Sequence, residues 1–306
     1  MKTTIFLITA LLTSSMYAQT PAAKTGGNFN HPESIVASKK HMYVSNVGGN
    51  MDPSAKDGDG YISKVNRKTG VVEQLKYIDG LHAPKGMYIK GNRLYIADVN
   101  KIVAYNLRTH KKVFEKDMAA YDVAYLNDIT RARGGIYVTA TDKNKIFKIA
   151  RNGKSKEIKL KNANLVNVNG IYRRPWGRTY VANFGTGNNA NGNVGRFGNI
   201  RKKYKTVKNA GINDGLVSRR GKLYITDWVN KEGANGRVVV YNKWNKSVKI
   251  LELPFNVGGP SDLFVDRKHK KLWIPSMTEH KLVSVDLKEV RTLPLEKNNQ
   301  EAVSRR

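Results

Sequence analysis

One short design recurs six times along the chain and constrains its fold more than any local feature. An aromatic residue followed by a β-branched one sits in the second strand of each candidate hairpin: Tyr43-Val44, Tyr95-Ile96, Tyr137-Val138, Tyr180-Val181, Tyr224-Ile225 and Trp273-Ile274. The steps between them are 52, 42, 43, 44 and 49 residues. In the fifth unit the design runs from Asn213-Asp214-Gly215 through the basic turn Arg219-Arg220-Gly221 to Tyr224-Ile225-Thr226-Asp227. Each unit carries a second hairpin, as in Lys145 to Ile149, the turn Arg151 to Lys154, and Glu157 to Leu160, with the alternation of half-buried antiparallel strands. Two hairpins make four strands, and six units of roughly 40–50 residues are the size of propeller blades. The expected fold is all-β, a six-bladed β-propeller of four-stranded antiparallel blades in a single closed domain. Closure matters because an open sheet of this many strands would leave long edges free to pair with other chains.

The ends and the composition limit the functional classes. Lys2, the apolar run Ile5 to Leu12 and the Tyr17-Ala18-Gln19 boundary follow the pattern of a secretory signal peptide. Residues 1–18 are therefore expected to be a leader and residues 19–306 the propeller, exported to the periplasm or secreted. No segment has the roughly 18 apolar residues of a transmembrane helix. The chain has no cysteine, which removes disulfides, thiolate nucleophiles and Cys-ligated zinc, and its six histidines include no His-x-x-x-His pair. The formal net charge of +30 points to anionic partners, which for an exported protein means glycans, lipid headgroups or wall polymers before nucleic acid, or else to a merely solvated surface.

Aligning the hairpins on their aromatic gives six equivalent positions where the innermost strand of each blade begins. Ten residues before the aromatic stand Glu33, Lys85, Asn127 and Asp214, and eleven before it, allowing one extra turn residue, stand Asn169 and Asp262. In a propeller these side chains converge on one rim of the central channel. Five of the six carry hard oxygen donors of the kind calcium, magnesium or manganese accepts. Asx residues also start strands and satisfy turns, a reading that holds for any one of them and weakens for a set in one register.

The stretch from Ile136 to Ile146, with Asn127-Asp128, Asn169-Gly170 and Asp214-Gly215, resembles the senescence-marker-protein, regucalcin and gluconolactonase family, built of NHL-type repeats. The resemblance implies a six-bladed propeller with one divalent metal in the channel, and often hydrolysis of sugar lactones. Carried over, it assigns Glu33, Asn169 and Asp214 to the metal, calcium first with Mg2+, Mn2+ or Zn2+ as alternatives, and sets Asn127-Asp128 toward the substrate or a metal-bound water. Two departures stand out: Glu33-Ser34-Ile35 in place of Glu-Gly-Pro, and Ile129 in place of a glycine. In that chemistry Asp214 serves as ligand and base, with Asp128 or Asp262 as the other candidate base. Lys85 would neutralise an oxyanion or a substrate carboxylate, or replace a metal's charge.

Three long loops, Asn46 to Gly60, Phe184 to Gly195 and Val229 to Gly236, are expected over the pocket. Phe184 and Trp228, at or beside the start of two of them, are candidates to stack on a sugar ring or to pack at a blade end. Asp57-Gly58-Asp59-Gly60 lacks the third acid and the distant glutamate of a calcium loop, and Gly153-Lys154-Ser155 lacks the first glycine and the helix of a phosphate loop, so no nucleotide is expected. The first hairpin turns (Lys39-Lys40, Arg131 with Arg133, Arg219-Arg220, Lys270-Lys271) and the second ones (Arg67-Lys68, Lys111-Lys112, Arg201-Lys202-Lys203) are basic and should share the face opposite the pocket. The leading expectation is a monomeric, metal-dependent hydrolase of a lactone or sugar-derived ester. The alternative is a non-catalytic propeller that binds an anionic envelope polymer through this basic face.

Overall fold

A computed structural model describes residues 23–25, 28–175, 177–186, 190–198, 202–208 and 210–295. The expected leader, residues 1–18, lies outside them, as does Arg201. The described chain forms six small antiparallel sheets with two single-turn 3-10 helices, Ala119–Tyr121 and Met277–Glu279. This is the six-bladed propeller anticipated from the repeat.

Within each blade the strands are named A to D from the axis outward. The A strands are Pro32–Ala37, Pro84–Lys90, Leu126–Ala132, Val168–Arg173, Asn213–Arg219 and Phe264–Asp266. Alternation along A, B and C points one set of apolar side chains at each neighbouring blade, so the core is a series of wedges between blades. Met87, Leu94 and Ile96 pack with Tyr43 and Ile62 between blades one and two. The last wedge sets Trp273 and Leu282 of blade six against Phe29, Ile35, Met42 and Val44 of blade one.

The ring closes with both chain ends. Ala23–Thr25 pairs antiparallel with Lys281–Asp286 and becomes strand D of blade six, with Ala23 opposite Ser284 and Thr25 opposite Leu282. The C-terminal strand Thr292–Pro294 instead adds to the outer edge of blade five, opposite Val248–Leu251. The same seam carries an ion pair: the Arg67 guanidinium of blade one donates from Nε and Nη2 to both oxygens of Asp266 in blade six, each at 2.8 Å.

The loops sort to two faces. In four blades the C–D turn donates a backbone N–H to the A–B turn of its own blade, from Arg67 to Lys40, Leu107 to Asn92, Arg151 to Gly134 and Lys243 to Gly221, and in blade six Leu287, just past strand C, donates to Lys270. Both sets of basic turns therefore lie on one face. The residues that follow strand B instead bond to the residues that precede strand A, as in Val47 to His31, Thr141 to Tyr125 and Trp228 to Ile212, which puts the B–C loops on the other face, around the channel mouth.

Candidate functional site

A β-bulge at the start of every A strand builds the site. In blades one to five the A–B register slips by one residue, between Pro32 and Ile35, Pro84 and Met87, Leu126 and Ile129, Val168 and Ile171, and Asn213 and Leu216. In blade six the same slip falls between Pro260, which bridges Ser276, and Phe264, which faces Trp273. A bulge places two successive residues against one on the partner strand and re-aims their side chains. Each blade thus offers the channel two residues. The first tier is Glu33, Lys85, Asn127, Asn169, Asp214 and Ser261, and the second is Ser34, Gly86, Asp128, Gly170, Gly215 and Asp262.

This register corrects the sequence alignment at blade six. The first-tier residue there is Ser261, and Asp262 belongs to the second tier. The A–B turn of blade six, residues 267–270, is two residues longer than the tightest turns rather than one, so counting back from Trp273 lands one residue late. The other five positions stand in the expected register.

Both tiers are packed closely around the axis. The space between Glu33, Asn127, Asp128, Asn169, Asp214 and Asp262 is about 10 Å3, close to the minimum for one water molecule. Second-tier glycines are required by this convergence: a Cβ on Gly170 would meet the Asp214 carbonyl oxygen at 2.3 Å, and one on Gly215 would meet Asp262 Cα at 2.5 Å. The Asn-Gly and Asp-Gly pairs of the sequence therefore record how near the next blade's backbone comes.

The second-tier acids reach across to the next blade. Asp128 accepts hydrogen bonds from Ile171 N at 2.7 Å through Oδ2 and from Ile129 N at 2.6 Å through Oδ1. Asp262 Oδ2 accepts from Ser34 Oγ at 2.8 Å and from Ile35 N at 3.2 Å. Both side chains keep slight contact with the channel while being surrounded by protein, and burial raises both pKa values, for Asp128 with Asp262's charge added, against the lowering effect of these N–H groups. They clamp blade three to four and blade six to one.

The first tier has few partners. Glu33 and Asp214 are buried, and among the described residues neither carboxylate closes a hydrogen bond. Burial is the main cause that raises Glu33 well above the usual range, reinforced by Asp214 and Asp262 and opposed by Lys85. Asp214 is raised in the same way by burial and then by Asp262. The Trp228 indole N–H lies beside Asp214 and favours its ionised form without reaching hydrogen-bond geometry, so Nε1 stays buried and unpartnered. Asn169 Oδ1 is likewise a buried acceptor with no partner. Lys85, 1% exposed, donates to the carbonyls of Pro53 at 2.6 Å and Ala83 at 2.8 Å and lies 4.9 Å from the centre of the Tyr125 ring. Burial pulls its ammonium down to about 8 against the attraction of Glu33. Pro53 belongs to the long loop of blade one, so Lys85 fastens that loop to the channel.

Phe184 and Trp228 come together at the mouth, edge to face with ring centres 5.6 Å apart, in an apolar collar with Val47, Val99, Ile212 and Met277. Trp228 is 6% exposed, so its ring is packed and only its N–H is turned toward the site. Sequence reasoning passed over Ser261, Ser34 and Tyr125. The register of the blade-six turn would have identified the first, whereas Ser34 and Tyr125 act through neighbouring blades and leave no local pattern.

A divalent cation fits this donor set. Glu33 and Asp214 supply carboxylates, and Asn169 supplies a buried amide oxygen that has no partner among the described residues. All three are hard oxygens suited to calcium or magnesium. Among the described residues no group of three or more His, Cys, Asp or Glu side chains stands at ligand spacing.

No protein-family model matches the chain, and no curated protein does. Solved structures do resemble it. A catalytically inactive variant of virginiamycin B lyase from Staphylococcus aureus, solved with quinupristin, is 16% identical over 91% of this chain and 89% of its own, with a TM-score of 0.59. A streptogramin B lyase is 13% identical over 89% of this chain and 97% of its own, at 0.60. A protein named as a candidate gluconolactonase is 16% identical over 89% and 95%, also at 0.60. At these identities the likeness establishes the propeller fold, one that carries enzymes bearing lyase and lactonase names.

Proposed function

We propose that the protein is an exported hydrolase of a lactone or similar ester that works with one divalent cation, calcium first, held by Glu33, Asn169 and Asp214. The observation that carries this reading is the buried Asn169 Oδ1, unpaired among the described residues, in the same narrow cavity as two carboxylates that burial and neighbouring carboxylates hold against ionisation. Such an arrangement of oxygens is costly without a cation and favourable with one.

When bound, the cation would polarise the ester carbonyl and acidify a water molecule. The protein's own groups supply the rest. Asp214 would accept the proton, as a first-tier carboxylate that lines the channel and, among the described residues, is not tied up in a bond between blades. Asp128 and Asp262 are poorer bases, since protonating either would weaken the bonds that join adjacent blades. Asn127 presents its amide from the same tier to orient the substrate. Lys85 adds positive charge beside Glu33 and favours an oxygen that gains negative charge. The space within the ring is too small for a sugar, so the substrate rests above it, against the partly exposed Phe184, and only its carbonyl reaches down. No helix among the described residues is long and apolar enough to cross a membrane. Export is inferred from the leader-like first 18 residues.

A panel of aldonolactones and simple esters, assayed with calcium and then with chelator, tests the reading together with calorimetric calcium binding. Hydrolysis should require the cation, and Asp214→Ala should lower kcat at least a hundredfold. Asn169→Ala should weaken calcium binding about tenfold or more. Full activity in chelator and in Asp214→Ala would exclude the mechanism.

A further inference from the structure

Away from the channel, two cavities share a wall on the outer side of blades three to five. One, of about 1490 Å3, lies between the A–B turns of blades three and four; the other, of about 490 Å3, runs between blades four and five to the C–D turn at Lys246. Arg196 and Lys205 line both, so the two adjoin at the outer strands of blade four and together make a basic trench. Seven Lys or Arg side chains line the first and six the second, and neither lining contains an Asp or Glu among the described residues. A basic face dispersed by solvent would intersperse acids; here, apart from Asp227 paired with Arg237, cations crowd a concavity. Lys243 registers the crowding: burial first, then Arg174 and Arg196, pull its ammonium down to about 8.

We infer that this trench binds a linear polyanion without bases, a chain of closely spaced phosphate or carboxylate groups laid across blades three to five. Two adjoining basic cavities suit a chain rather than a single ion, and guanidinium forks at Arg131, Arg178 and Arg196 match either oxyanion in two-point contact. Single-stranded nucleic acid needs exposed rings on which bases stack. Among the described residues the trench aromatics, Tyr180, Phe197, Tyr204 and Tyr241, are instead buried to between 2% and 6% exposure and face the core wedges. The exposed Trp244 stands outside both linings. The inference does not depend on the hydrolase reading, since the trench and the channel share no residue.

The test compares two variants of equal charge. Arg131→Gln, Arg178→Gln, Lys203→Gln and Lys205→Gln together remove exposed trench cations, whereas Lys39→Gln, Lys40→Gln, Lys68→Gln and Lys90→Gln remove as many from blades one and two. Binding of labelled inorganic polyphosphate and of polygalacturonate is followed by anisotropy across a salt series, with single-stranded DNA of matched charge as competitor. For the trench variant, affinity should fall at least tenfold and the slope of log K against log salt should drop by about 3, at roughly 0.7–0.9 per lost contact. The control should change less than about twofold. Preference for one polymer identifies the anion as phosphate or carboxylate. Equal losses in the two variants, DNA that outcompetes both polymers, or no binding at about 50 mM salt would each overturn the proposal. Should the fourfold variant fold poorly by circular dichroism, Lys203→Gln with Lys205→Gln carries the same comparison with half the change in slope.

Discussion

Asp214→Asn separates a site built for a cation from one that is merely polar. Four carboxylates, Glu33, Asp128, Asp214 and Asp262, crowd the channel against the single ammonium of Lys85, itself turned toward the carbonyls of Pro53 and Ala83. With no cation bound, neutralising Asp214 with an amide of the same shape relieves repulsion on Glu33 and removes a poorly solvated charge. An unpaired buried polar group costs about 1–3 kcal/mol and a charged one more, so the exchange should stabilise the cation-free protein by about 1–2 kcal/mol. For a chain of this size each kcal/mol moves Tm by about 2–4 °C, so the variant should melt roughly 2–8 °C above the parent in chelator. Calcium at about a hundred times Kd should stabilise the parent by about 2.7 kcal/mol, or roughly 5–10 °C, and the variant by almost nothing. Differential scanning calorimetry at pH 7 with chelator and with calcium gives all four values. A variant that melts lower than the parent in chelator and keeps the calcium shift would refute the assignment of Asp214 as a strained ligand.

Two further substitutions probe the frame around the site. Asp266→Asn should cost about 2–3 kcal/mol, somewhat less than breaking a fully buried pair because Arg67 keeps some solvent contact. The Arg67 and His269 contacts outweigh the cost of burial and hold the Asp266 carboxyl well below the usual carboxylate range. A depressed folded pKa means that this stability is present above about pH 4 and is lost as pH falls further. Urea melts should show the gap between parent and variant closing below pH 4; a constant gap would show that charge is not its source. Gly170→Ala puts a methyl group 2.3 Å from the Asp214 carbonyl oxygen, a backbone atom that cannot swing aside, and should cost about 2–3 kcal/mol and weaken calcium binding. A loss under about 0.5 kcal/mol in chemical denaturation would mean that the channel is looser than drawn.

The blades were legible in the sequence because the aromatic of strand B repeats the same packing task six times. The first tier was legible for a subtler reason: the bulge recurs in every blade, so a constant count from the aromatic meets the same backbone position wherever the A–B turn is known. Blade six broke that count through the longer turn at 267–270. What could not be read were features that depend on a neighbouring blade. The bonds from Asp128 to Ile171 and from Asp262 to Ile35 join residues 43 and 227 apart. Nor do three residues, Ala23-Lys24-Thr25, carry enough pattern to announce a strand, since their partner at the far end of the chain alone defines it. The burial of Trp228 and its orphaned N–H follow from the collar around it, not from its place at the head of a loop.

The strand formed by Ala23–Thr25 also gives the ring a direction in time. Its partners lie at 282–284, nearly the whole described chain away, and contacts of such separation are the last that chain entropy allows to form. Until then blades one to five can assemble in order on neighbour contacts, while blade six waits for a strand held at the opposite terminus. The channel residues straddle that delay: Glu33 and Ser34 lie on one side of the seam and Asp262 on the other, with Ser34 donating to Asp262. The site is therefore completed only when the ring is, and a chain halted before closure has five blades folded but no finished channel.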